Sequence, residues 1–118
     1  MREHRRILVV DGSRVVRATL SKHLKNDFDI VEESDGESAW QTLMLDASIV
    51  LVISGIHPPR LEAHDFYARI RSSSRSRLKN LPFVLIVSDM DSHSVQQGPF
   101  AAEVSAVLTK TMSKKATV

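Results

Sequence analysis

Ile7-Leu8-Val9-Val10-Asp11-Gly12-Ser13 is the stretch on which the reading of this chain turns. Four aliphatic residues end abruptly at an acid, a glycine and a hydroxyl residue. The pattern recurs: Ile49-Val50-Leu51-Val52-Ile53 stops at Ser54-Gly55, and Phe83-Val84-Leu85-Ile86-Val87 stops at Ser88-Asp89. Runs that are apolar throughout and rich in Val and Ile mark parallel strands buried on both faces. Phe28-Asp29-Ile30-Val31 alternates and so reads as an edge strand, and Ala106-Val107-Leu108-Thr109 is a short fifth candidate.

Helix-length segments separate these runs. Ser13 is placed to cap a first helix in which Val16, Leu20 and Leu24 recur every fourth residue. Asp35 caps a second, with Ala39, Leu43 and Ala47 along one side. A third helix, from about Leu61 to Ser72, brings Ala63, Phe66 and Ile70 together. A fourth begins near Asp91-Ser92 and meets Gly98-Pro99, which stops or kinks it. Few residues follow Lys110, so a fifth helix is short. This strand–helix alternation implies right-handed crossovers and a doubly wound parallel sheet of five strands. Ligands of such folds sit beyond the carboxyl ends of the strands. Asp11-Gly12, Ser54-Gly55, Ser88-Asp89 and Thr109-Lys110 are therefore the positions that bear on function.

The 118 residues suit a single domain, 1–118, and 42% of them are apolar. Without cysteine there is no disulfide scaffold, Cys-ligated metal or thiol nucleophile. No aliphatic run approaches the length of a membrane span, and the N-terminus does not resemble a secretory signal, so a cytoplasmic location is expected. The tail after Lys110 suggests one domain of a longer protein. Basic residues gather at Arg14, Arg17, Lys22 and Lys25, and again at Arg69, Arg71, Arg75, Arg77 and Lys79. With no aromatic interleaving and a formal charge of only +2, these read as solvated faces rather than a nucleic-acid surface.

The segments ILVVDGSRVVRATL (7–20), DGESAW (35–40), LVISGIHPPRLEAHDFYARIR (51–71), LPFVLIVSD (81–89) and AAEVSAVLTK (101–110) together resemble the receiver domain of two-component response regulators. The resemblance implies the flavodoxin-like (βα)5 fold with strand order 2-1-3-4-5. It also implies phosphoryl transfer from a kinase phosphohistidine to an aspartate at the end of the third strand. A divalent ion held by acids at the end of the first strand assists, and a hydroxyl and a lysine grip the phosphoryl oxygens. Such chemistry is mainly positioning and charge stabilisation.

Against that pattern Asp11 matches the first acidic position, Ser88 the hydroxyl and Lys110 the lysine, whereas Gly12 stands at the second acid and Gly55 at the phosphoacceptor. The formal +2 equals the two carboxylates missing from 12 and 55. Further departures are Pro58-Pro59, Glu62-Ala63, Glu103, Val107 at the switch aromatic, and Thr111 where a cis proline is usual. Their scatter argues against Gly12 and Gly55 being introduced substitutions in a competent receiver. The expectation is a degenerate receiver, a binding module rather than an enzyme. It would bear a vestigial metal ligand at Asp11 and no bound Mg²⁺, with Lys110 paired to Asp11. Its partners would be proteins: an output domain, a kinase or phosphotransfer protein, or a second copy. Asp89 and His57 are the alternative acceptors, while Ser54 is turned away by strand alternation. A flavin protein of the same fold is disfavoured, since Asp11-Gly12-Ser13-Arg14 is too short to cradle a phosphate and carries an acid there.

Overall fold

In a computed structural model, residues 5–55, 60–87, 104 and 106–109 are described. The strands are β1 (Arg6–Val10), β2 (Asp29–Glu33), β3 (Ile49–Gly55), β4 (Phe83–Val87) and β5 (Ala106–Thr109). The helices are α1 (Arg14–Leu24), α2 (Gly36–Leu45), α3 (Ala63–Arg71) and α4 (Ser76–Lys79). The sheet is parallel and runs β2-β1-β3-β4, with β5 paired to β4. The β2 strand is an edge, and its half-exposed side chains match its alternating sequence.

Alternation along the strands divides the core into two. Leu8, Val10, Val52, Phe83 and Leu85 join Ala39 and Leu43 of α2 and Ala63, Phe66 and Ile70 of α3 on one face. Phe66 and Tyr67 meet Phe83 edge-on, with ring centroids 5.9 and 5.3 Å away. On the other face Ile7, Val9, Ile53 and Ile86 are covered by Leu20 of α1, flanked by Val16 and Leu24. Both expected caps form. Ser13 Oγ accepts from the Val16 amide at 3.3 Å, and Asp35 Oδ1 accepts from the Ser38 amide at 2.8 Å. The Ser38 bond is the main reason the Asp35 carboxyl is held below the usual carboxylate range.

Two expectations need correction, and one element, α4, has no counterpart among them. Ala47 lies beyond the end of α2 and is exposed, because the chain turns at Asp46, which holds the Ser48 amide at 2.9 Å. The loop after α3 contains α4, a single turn without apolar periodicity, anchored by buried Leu78. Arg69, Arg71, Arg75 and Arg77 of this segment are also not a freely solvated face, whereas Lys79 is exposed as expected. Arg69 donates to Glu37 at 3.2 Å and lies 5.5 Å from the Trp40 ring. Arg71 stacks on Tyr67 at 4.6 Å and donates to the Leu78 carbonyl at 3.3 Å. Arg75 and Arg77 donate to carbonyls at the end of α2, Arg77 to Leu43 at 3.2 Å and Met44 at 3.3 Å, and Arg75 to Met44 at 3.2 Å. Cations there complement the negative end of the helix dipole. The expected disruption of a helix at Gly98-Pro99 and the short helix after Lys110 lie outside the described residues.

Candidate functional site

Parallel pairing brings the carboxyl ends of the strands to one edge of the sheet. Val10 pairs with Ser54, and Gly55 with Ile86, so Asp11 leaves β1 beside the last residue of β3. The Asp11 amide donates to the Glu33 carbonyl at 3.2 Å, and its residue surface is 6% exposed. Asp11 Oδ1 accepts from the Ser13 amide at 2.8 Å, which places the carboxylate against the start of α1. Arg17 Nη1 donates to the Asp11 carbonyl at 2.7 Å, while Arg17 Nε pairs with Glu32 at 3.3 Å. Arg17 thus turns toward β2 and the strand end, which corrects its expected place on the outer face of α1. Arg14, Lys22 and Lys25 are exposed as expected.

Gly55 faces this carboxylate. A Cβ on Gly55 would stand 3.2 Å from Asp11 Cγ and 3.9 Å from its Cβ, with Oδ2 nearer still. Ser54, on the opposite parity, is fully buried and its hydroxyl donates to the Gly55 carbonyl at 2.7 Å. Gly12 is exposed. Of these three strand-end positions, 11, 12 and 55, only Asp11 carries a carboxylate. Mg²⁺ takes oxygen ligands, typically one or two carboxylates with waters and phosphate oxygens. A single carboxylate already engaged by an amide is a poor match to that set. Among the described residues no group of three or more His, Cys, Asp or Glu side chains could hold a metal ion.

The sequence is 30% identical to chemotaxis protein CheY1 of Helicobacter pylori over 88 residues, covering 71% of this chain and 68% of that protein. The chain belongs to the response-regulator receiver family. Two-component response regulator ORR3 of Oryza sativa is 29% identical over 84 residues, and the receiver chain spans 63% of its length. No family model matches. A solved response regulator receiver protein from Pseudomonas putida superposes with a TM-score of 0.77 at 25% identity, covering 94% of this chain and 89% of that one. Chemotaxis protein CheY4 of Vibrio cholerae shares the fold, with a TM-score of 0.75 at 21% identity and coverage of 91% and 87%.

Within this receiver domain, Asp11, Gly12 and Gly55 gather at the strand ends where the sequence places them. Ser88, Asp89, Lys110, Thr111 and His57 lie outside the described residues, as do Pro58-Pro59 and Glu103. Glu62 precedes α3 without a side-chain cap, and Ala63 behind it is fully buried. Sequence reasoning missed Arg17 as a support of the Asp11 turn. Its only signal is its spacing from Ser13, one helical turn into α1. No helix among the described residues is long and apolar enough to cross a membrane.

Proposed function

We propose that this receiver domain carries no phosphoryl group at the end of β3 and works as a regulatory module through protein contacts. The observation that carries the reading is Gly55, which offers no nucleophile at the acceptor position and instead packs against the Asp11 carboxylate. Phosphoryl transfer in this family needs an acceptor carboxylate and a charge-neutralising ion beside it, and the residues at 12 and 55 supply neither donor. On this reading the domain is not an enzyme and uses no metal. Its output rests on one conformation recognised by a kinase, a phosphotransfer protein, an output domain or a second copy. Asp89 and His57 are not acceptors on this reading.

The test uses beryllium fluoride, which mimics an acyl phosphate only when an aspartate oxygen completes its tetrahedron. Amide NMR spectra of the full chain, with and without Mg²⁺ and beryllium fluoride, are expected to superpose. Saturable shifts at residues 11–13, 54–55 and 86–88 would refute the proposal. Repeating the titration with Asp89→Asn or Asp11→Asn would then identify the carboxylate.

A further inference from the structure

The contact between Gly55 and Asp11 has an energetic sign that can be read independently of any phosphate chemistry. Gly55 is a strand residue paired with Ile86, and no described glycine has a positive φ, so its backbone suits any L-residue. Replacing such a glycine by alanine ordinarily stabilises a protein, because the unfolded chain loses freedom. Here the space that a Cβ needs is held by the Asp11 carboxylate, with Cγ at 3.2 Å and a buried Oδ2 closer.

That carboxylate is not free to swing aside at no cost. Its Oδ1 accepts from the Ser13 amide at 2.8 Å, Ser13 caps α1 through Val16, and Arg17 of the same helix grips the Asp11 carbonyl. Rotating the carboxylate away from residue 55 breaks the bond to Ser13 and loosens the first turn of α1. A charge-assisted bond of this kind is among the stronger ones in a protein.

We infer that Asp11 is a lock: its carboxylate occupies the space of a Cβ at 55 from the β1 side, opposes a side chain there, and couples the end of β3 to the start of α1. The inference extends the proposed function but does not rest on it, because a lock can exist whether or not another residue accepts phosphate.

Thermal unfolding of four full-length chains tests it: wild type, Gly55→Ala, Asp11→Ala and the double variant. With Asp11 present, Gly55→Ala is expected to lower Tm by about 4 °C or more. In the Asp11→Ala background the same change is expected to leave Tm unchanged or raise it. In parallel, amide exchange at Ser13 is expected to quicken about tenfold in Gly55→Ala, for loss of its acceptor. Should the Asp11→Ala chains fail to fold, that exchange rate decides alone. Equal losses in both backgrounds, or an unchanged Ser13 rate, would overturn the lock.

Discussion

Gly36→Ala is expected to destabilise this receiver domain by about 3 kcal/mol or more, reversing the usual sign of a glycine-to-alanine change in a helix. Gly36 opens α2 directly after its cap, Asp35, and is buried. A Cβ there would lie 2.9 Å from the Leu61 carbonyl carbon and still closer to the Leu61 oxygen and Cβ. These are backbone and core atoms, not the tip of a flexible side chain, since Leu61 belongs to the core beside α3. The two segments are also tied by Arg60, which has a positive φ of 71° and pairs with Asp35 at 3.3 Å. Relief therefore demands that α2 or the 60–62 segment move as a body. Urea unfolding is the check: the midpoint falls with little change in slope. A neutral or stabilising result would show that the loop yields freely.

Arg77→Ala is expected to cost about 2 kcal/mol, roughly 8 °C in Tm, whereas Arg75→Ala costs under about 0.5 kcal/mol. Both arginines reach the end of α2, but Arg77 is half-buried and its Nη2 serves two carbonyls, while Arg75 is exposed and serves one. Hydrogen bonds to a charged donor are worth more where water cannot replace it. Nη1 of Arg77 is buried with no hydrogen-bond partner among the described residues, which trims the loss. Arg77→Lys is expected to recover little, because an ammonium cannot reproduce the planar fork. Equal effects at 75 and 77 would show that charge alone matters, not burial.

What could be read in the sequence follows from what is local. The aliphatic runs locate β1, β3 and β4 because strands buried on both faces need no alternation. Capping at Ser13 and Asp35 is equally local, one hydroxyl or carboxylate reaching three residues along the chain. Strand ends were less legible. The β3 strand continues through Ser54 and Gly55 because both pair with β4, a relation with distant residues. The β2 strand runs on through Glu32 and Glu33, since an edge strand tolerates charge on its open side. The single turn α4 has no periodicity to detect. Arg75 and Arg77 read as solvated charge because their acceptors are carbonyls of α2, far away in sequence. At the site, the identity of Asp11 and Gly55 was legible, but their mutual packing was not: it depends on the register of β1 against β3.

The proposed function rests on Gly55 standing at the acceptor position, where a glycine offers no nucleophile. The most direct measurement is intact-mass spectrometry of the full chain after incubation with acetyl phosphate and Mg²⁺, beside a receiver that retains its acceptor aspartate. The control gains one phosphoryl mass, and this chain is predicted to stay at its unmodified mass. A phosphoryl adduct on this chain under the same conditions would contradict the account.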